Sequence, residues 1–428
     1  MKNKLNILIL SAYPKSYSGN LGGDIFDALI RAGHNVTYGY DGIEDQHASV
    51  MNYFESMKKR TFIQKICSKI HKLIYGTANR NGYYFLIEDE LHPNLPSRLR
   101  IDKIKGSYDL IIILFTVRFI SASIIKQLYE RFNCQIFISS IDMYHLTGGC
   151  FYFNDCRNFR NECKNCPAFD ILHKAKAHEN FLYKKRIYTE TKVTFICNTW
   201  VKQFAEQSKM FENARIATRS FGLNENIYKP LNRDKCKFDL EITSQYKFIM
   251  LTRYDSHPRK GFKYTVQAIK DLVRSIDESE IKDLLLLIVG STSAEDMQEI
   301  PIQTKCLGRI SMEQLIKAYN VADVFISSST DDAGPSMVNQ SMACGTPVIS
   351  FHIGTALDVL HQGISGYSTE NGSQIGLSNC LKKMYNQSPE ERLHMRITTR
   401  ETALKYNSLK AVSDFYEHTY YSNLERYT

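Results

Sequence analysis

Three groups of residues in this chain combine types and spacings that can do chemistry. Arg253 and the run Arg259-Lys260-Gly261 follow the apolar stretch KFIMLT, at the mouth of a helix predicted over 262–273. Cations neutralise a diphosphate, and a glycine lets the backbone N–H groups of a helix start come close to it. The plainer reading of the same residues is a set of solvated charges. In the second group, Asp331, Asp332, Gly334 and Pro335 stand between a strand predicted over 324–327 and a helix predicted from Ser336 to Gly345. A ligand can sit in such a loop outside the sheet, and the free N–H groups of the helix start attract anions. Asp332 as a favourable charge near that helix start, and Gln340 as an ordinary buried polar group, are the competing assignments. The third group is Cys150, Cys156, Cys163 and Cys166, spaced five, six and two residues apart. The final Cys-x-x-Cys resembles half of a zinc knuckle, in which both sulfurs face one tetrahedral ion. Structural zinc, disulfides and free thiols stay open as alternatives. Four thiolates would close the coordination sphere, so a catalytic metal is not expected.

The elements that must position these residues read as alternating strands and helices. Leu5–Leu10, Asp109–Phe115, Gln135–Ser140, Lys247–Thr252 and Leu284–Gly290 are nearly continuous apolar runs, as in parallel strands covered on both faces. The intervening helical patterns make βα units, so the expected class is α/β with doubly wound parallel sheets. At 428 residues the chain exceeds one ordinary core, and two domains are expected. The first covers 1–235 and carries the Cys-rich loop 150–166; the second covers 236–405; residues 406–428 read as a last helix. The polar stretch 232–245 is expected to be the linker.

Composition narrows the class further. The chain is 43% apolar, yet it has no uninterrupted apolar run of about eighteen residues, which argues against a transmembrane span. MKNKLNILILSAYP lacks a small-residue cleavage pattern and reads as a first strand instead of a signal peptide. A cytoplasmic protein is expected. Eleven cysteines without an export signal argue against a disulfide framework. The formal charge of +9 suits a phosphate-bearing or anionic-membrane partner, and is also ordinary for solubility. Residues 53–75 place Phe62, Ile63, Ile66, Ile70, Leu73 and Ile74 at helical spacing, with Lys65, Lys69 and Lys72 on another face. A plain surface helix and a dock for an anionic bilayer at the inner face of the membrane both fit this pattern. Aromatic residues are not interleaved with the lysines, so a nucleic-acid partner is not expected.

The order acidic residue, Pro, Ser, SMACGTPVIS and HIGTALDVL resembles the donor-sugar site of the family 4 glycosyltransferases. That resemblance implies a GT-B fold, with two Rossmann-like domains facing across a cleft and the last helix, 406–428, crossing back to the first domain, and transfer with retention of configuration. It places Asp332 and Gln340 where the family carries two glutamates. It implies that Arg253 and Lys260 hold the donor diphosphate, together with backbone around Gly334, Pro335, Ser336, Met337 and Val338. Gly308 would lie near the nucleobase, and the pair Gly22-Gly23, which ends the loop expected over 11–23 before a helical pattern, near the diphosphate or acceptor. Asp142 matches the aspartate of a family His-Asp pair whose histidine is replaced by Ile141. A TGGC...CxxCP insertion like that at 147–167 occurs in a subset of exopolysaccharide-type members. The resemblance implies a nucleotide-diphosphate sugar donor, a lipid-linked or saccharide acceptor, and a role in surface polysaccharide, lipopolysaccharide or O-antigen synthesis. The two substituted glutamates leave a catalytically silent GT-B protein, binding a nucleotide sugar or a partner enzyme, as the alternative. A nucleotide-sugar epimerase, whose usual acidic and histidine positions are missing here, is the other.

Overall fold

The computed structural model describes residues 3–15, 21–40, 50–51, 84–85, 90, 101–116, 119–169, 174–292 and 297–427. The basic amphipathic stretch 53–75 lies outside the described residues. The chain forms two units, one made of residues 1–219 and 412–428, the other of residues 220–411.

The first unit is built on a seven-stranded parallel sheet. Its strands are β1 (Asn6–Ser11), β2 (Asn35–Tyr40), β3 (Val50–Met51), β5 (Leu110–Leu114), β6 (Gln135–Ser139), β8 (Thr194–Cys197) and β9 (Arg215–Thr218), in the order 3-2-1-5-6-8-9. All five residues of β5 are buried, as the apolar run predicts for a strand covered on both faces. The short strands β4 (Tyr84–Phe85) and β7 (Cys150–Tyr152) pair antiparallel beside it. Helix α1 (Leu21–Arg31) begins earlier than the sequence suggests, so Gly22 and Gly23 belong to its first turn and not to a loop. A Cβ on Gly23 would stand 2.9 Å from the Lys15 carbonyl oxygen, so the crossing of the preceding chain requires glycine there. Helices α2 (Ala122–Phe132) and α3 (Lys174–Glu190) and the short helix Thr199–Ala205 continue the βα alternation in this unit. The final helix, Leu409–Tyr427, has its body here. Its Glu417 carboxylate lies 3.0 Å from His34 Nε2, and Asn423 donates to Gln135 Oε1 and Thr194 Oγ1, both at 2.9 Å.

The second unit has six parallel strands: β10 (Phe248–Arg253), β11 (Leu284–Val289), β12 (Gln303–Gly308), β13 (Val324–Ser327), β14 (Val348–Phe351) and β15 (Gly366–Thr369). Their order, 12-11-10-13-14-15, is that of a dinucleotide-binding sheet, with the strand order reversing between β10 and β13. Leu284 to Ile288 are all buried, and truncating one of them to alanine would cost about 2–5 kcal/mol. Residues 232–245, expected as a linker, instead contain helix α4 (Arg233–Asp239), capped by Asn232 and lying within the second unit. Asn232 is a polar residue that takes a helix donor, which is why a charged stretch folds here.

Helix α5 (Phe262–Val273) buries Thr265, Val266, Ala268, Ile269 and Leu272, the one-sided stripe of an amphipathic helix on a sheet. Helix α6 (Met312–Val321) starts with a Ser311/Gln314 capping box, and helix α7 (Ser336–Ala343) follows β13. Among the described residues no helix is long and apolar enough to cross a membrane.

Candidate functional site

In an open α/β sheet, ligands bind beyond the carboxyl ends of the strands where the order reverses. In the second unit that point falls between β10, which ends at Arg253, and β13, which leads into Ser328 to Asp332. The two loops are joined there. Thr330 donates its N–H to the Arg259 carbonyl at 2.7 Å, and Thr265 Oγ1 donates to Ser328 Oγ at 2.9 Å. Gly261 adopts φ +66°, and a Cβ on it would stand 2.0 Å from the Ser328 carbonyl oxygen. Only glycine meets both demands at this crossing.

This stitching brings Lys260, Arg259 and Asp332 together. The Lys260 ammonium donates to Asp332 Oδ2, and Arg259 Nη1 lies 3.8 Å from the same oxygen. Arg259 also donates to the Asp331 carbonyl at 2.9 Å. Burial pulls the Lys260 ammonium below the usual lysine range; Asp332 opposes that shift and Arg259 reinforces it. Asp332 Oδ1 accepts the Gly334 N–H at 3.2 Å. Arg253 is different: its side chain is half-exposed and lies 3.3 Å from Asp255.

Helix α7 starts directly after this loop, and no side chain caps it. The Val338 N–H donates to the Pro335 carbonyl at 2.9 Å, and the Val338 side chain belongs to the core, so this residue is turned to packing. Ser336 and Met337, at the exposed start of the helix, carry the N–H groups that remain candidates for an anion. Gln340 is buried and accepts from the Tyr319 hydroxyl at 3.0 Å. Asn339 holds the loop from behind, donating to the Phe221 carbonyl at 2.8 Å and accepting from Thr355 Oγ1 at 2.9 Å. Gly334 packs so closely on Phe221 that a Cβ would stand 1.7 Å from the ring. Gly308 lies apart from this cluster, at the end of β12, where its carbonyl accepts the Gly290 N–H at 2.9 Å.

In the first unit, Asp142 lies just beyond the end of β6 and accepts the Tyr144 N–H at 2.8 Å. Burial raises its carboxyl to about 6, against the pull of that bond and of Lys184. Beside it is a buried network the sequence did not announce. Tyr144 donates its hydroxyl to Glu90 Oε1, and Glu90 Oε2 accepts the Ala122 N–H at 2.6 Å. Lys184 is fully enclosed and donates to the Tyr144 carbonyl at 2.7 Å. His145 lies 3.1 Å from Thr116 Oγ1 and 2.8 Å from the Tyr188 hydroxyl, and burial lowers its imidazole to about 3. Buried Lys and Glu are uncommon, but a helix pattern with a lysine on it carries no sign that the lysine faces inward.

The four loop cysteines form no disulfide. Cys150, Cys163 and Cys166 are buried and Cys156 half-buried, and burial pushes the Cys163 thiol up to about 12 and Cys166 to about 11.

These features define a two-unit α/β protein of GT-B fold, with an anion-suited loop cluster at the switch point of its second sheet. The fold is shared with sucrose-phosphate synthase from Thermosynechococcus elongatus, at TM-score 0.65 and 15% identity over 99% of this chain and 100% of that one. It is shared too with Anabaena Alr3699/HepE, solved with UDP and glucose, at TM-score 0.61 and 14% identity over 98% and 100% of the two chains. Residues 232–402 match the family model described as Glycosyl transferases group 1, and the switch-point cluster lies within that segment. Among curated proteins, 146 residues are 28% identical to a phosphatidyl-myo-inositol mannosyltransferase of Propionibacterium freudenreichii, covering 33% of this chain and 36% of that protein. Over 239 residues the chain is 22% identical to the N-acetyl-alpha-D-glucosaminyl L-malate synthase of Bacillus anthracis, covering 54% and 60% of the two. The matches thus span from about a third to three fifths of the length of these relatives.

Proposed function

We propose that this protein transfers a sugar from a nucleotide-diphosphate sugar to an acceptor hydroxyl, with retention of configuration. The observation that carries the reading is the cluster Lys260, Arg259 and Asp332 at the β10/β13 switch point, beside the uncapped start of α7 and inside the matched segment. The bond between the sugar's anomeric carbon and the diphosphate oxygen breaks, and a bond from that carbon to the acceptor oxygen forms on the same face. The departing diphosphate takes the acceptor's proton. Negative charge grows on the leaving group, so fixed cations and N–H groups aimed there lower the barrier most. Lys260, Arg253 and the N–H groups of Ser336 and Met337 have that role, with Gly334 and Pro335 shaping the approach. Asp332 holds donor-sugar hydroxyls, Gln340 reaches the ribose, and Gly308 lies near the base. On the family resemblance, Asp142 is assigned to the acceptor or the transferred sugar, and Gly22 and Gly23 to the donor diphosphate or the acceptor.

The product belongs to surface polysaccharide, lipopolysaccharide or O-antigen synthesis, with a lipid-linked or saccharide acceptor, on the resemblance of the donor motif and the TGGC...CxxCP loop. The setting is cytoplasmic, with peripheral attachment at the inner face of the membrane. Incubation with UDP-, GDP- and ADP-sugars and lipid-diphosphate acceptors, followed by anomeric proton NMR of the product, tests the reaction. A product with the donor's anomeric configuration supports it, and an inverted product or hydrolysis alone refutes it.

A further inference from the structure

No cysteine of the Cys-rich turn in the first unit is assigned a contact in the proposed transfer, yet the construction of the turn calls for an explanation. Cys150, Cys156, Cys163 and Cys166 all line one cavity of about 20 Å³, together with Thr147, Phe153, Asn158 and Phe159. A space of that size holds a single small occupant. Four non-glycine residues around it take left-handed backbone: Asn154 (φ 47°), Glu162 (φ 54°), Cys163 (φ 56°) and Asn165 (φ 53°). Each such residue costs on the order of 1 kcal/mol, so a turn carrying four of them needs something that over-determines its shape. Aromatic packing supplies part of this, with the Phe153 and Phe159 ring centroids 4.8 Å apart. The Gly148 N–H already donates to Cys163 Sγ at 3.1 Å, a bond suited to a thiolate. A Cβ on Gly148 would stand 2.1 Å from the Ala177 carbonyl oxygen, which fixes this loop against α3. From the same helix comes the enclosed Lys184, whose ammonium burial pulls below the usual lysine range while Glu90, Cys163, Cys150 and Asp142 oppose that shift. Among the described residues no three ligand side chains stand arranged around an ion, so an ion would have to draw the sulfurs inward.

We propose that Cys150, Cys156, Cys163 and Cys166 bind one Zn²⁺ as a structural tetrathiolate, with Lys184 as a buried counter-charge. As the ion enters, four S–H protons pass to solvent and four Zn–S bonds form. The resulting centre carries a net charge of minus two, of which Lys184 offsets one. Soft thiolates in a four-ligand set select zinc over magnesium or calcium. The site positions more than its own loop: the Met143 N–H donates to the Phe151 carbonyl at 3.0 Å, and Tyr144 stacks on Phe151 with ring centroids 5.4 Å apart. Zinc therefore steadies the turn that carries Asp142. This inference does not depend on the sugar-transfer reading.

The test is elemental analysis of the full chain, prepared under reducing conditions without chelators from zinc-supplemented culture. About one zinc per chain is expected, released to a chromophoric chelator by a mercurial. Cobalt exchange should give the intense visible and near-ultraviolet bands of a tetrahedral thiolate site. Cys156→Ser, at the half-buried position, should lower zinc affinity by about tenfold or more, while Cys306→Ser, far along the chain and exposed, should leave the zinc content unchanged. Folded wild-type protein with less than about a tenth of a zinc per chain would overturn the proposal. So would an intact mass short by two or four hydrogens, the mark of disulfides.

Discussion

The Lys260 ammonium is seated on the Asp332 carboxylate although 72 positions separate the two residues in sequence. The pair closes the β10/β13 switch point of the second sheet with one positive and one negative group already in contact. A diphosphate entering this loop must therefore compete with Asp332 for Lys260, while a sugar is left with Asp332 Oδ1, which also accepts the Gly334 N–H.

The two residues should consequently act as a unit. Asp332→Ala leaves Lys260 and Arg259 without their shared partner, and transfer should fall by at least about 100-fold in kcat/KM. Lys260→Ala should lower kcat by a similar factor, and the double variant should lose far less than the product of the two. Strict additivity in steady-state kinetics would show that the contact has no part in the reaction. Arg253→Ala, at the half-exposed cation, should cost about tenfold or more and raise the donor KM.

The first unit should show a compensated pH response. Burial raises Asp142 from 3.8 to about 6 and lowers His145 from 6.5 to about 3. Between about pH 4 and 6 the folded state holds the aspartic proton and the unfolded state the histidine proton, so the two contributions oppose each other. Asp142→Asn keeps the acceptor for the Tyr144 N–H and removes the acidic half. Its stability should then rise with pH through this window more steeply than that of wild type, by up to about 1 kcal/mol per unit, because the opposing Asp142 contribution is gone. Urea unfolding of both proteins between about pH 4 and 6 measures the difference. A variant whose pH slope equals that of wild type would contradict the raised Asp142 carboxyl.

Gln340 should be improvable. Its carbonyl oxygen accepts from the buried Tyr319 hydroxyl, a position the resembled family fills with glutamate. A carboxylate forms charge-assisted bonds of roughly twice the strength. Gln340→Glu should tighten donor binding by roughly three- to tenfold and lower the stability of the unliganded protein by on the order of 1 kcal/mol. Unchanged donor affinity measured by calorimetry would remove Gln340 from the ribose contact.

Much of the second unit was legible from the residues. Strands such as Leu284–Val289 are continuous apolar runs, and the helix Phe262–Val273 and the strand Val324–Ser327 lie where periodicity and the glycine at 261 put them. The two-residue strands Val50–Met51 and Tyr84–Phe85 are too short for any pattern to register. Gly22 and Gly23 read as turn residues because glycine disfavours helices, whereas here the close crossing at Lys15 overrides propensity. Asn232 to Gln245 looked like a linker because its charge hid a capped helix. In the site, Arg259 stood in plain view beside Lys260, yet its reach to Asp331 and Asp332 depends on how two loops are stitched together. Glu90 and Lys184 were invisible, because a buried charge is recognised only from partners far away in sequence.

The central claim is that the switch-point cluster of the second unit holds a nucleotide-diphosphate sugar. Calorimetric titration of the folded protein with UDP-, GDP- and ADP-sugars tests it most directly, with Asp332→Ala and Lys260→Ala in parallel. Saturable binding of one nucleotide class, weakened about tenfold or more by Lys260→Ala, is the expected result. Absence of binding to every member of the panel, or binding indifferent to both substitutions, would contradict it.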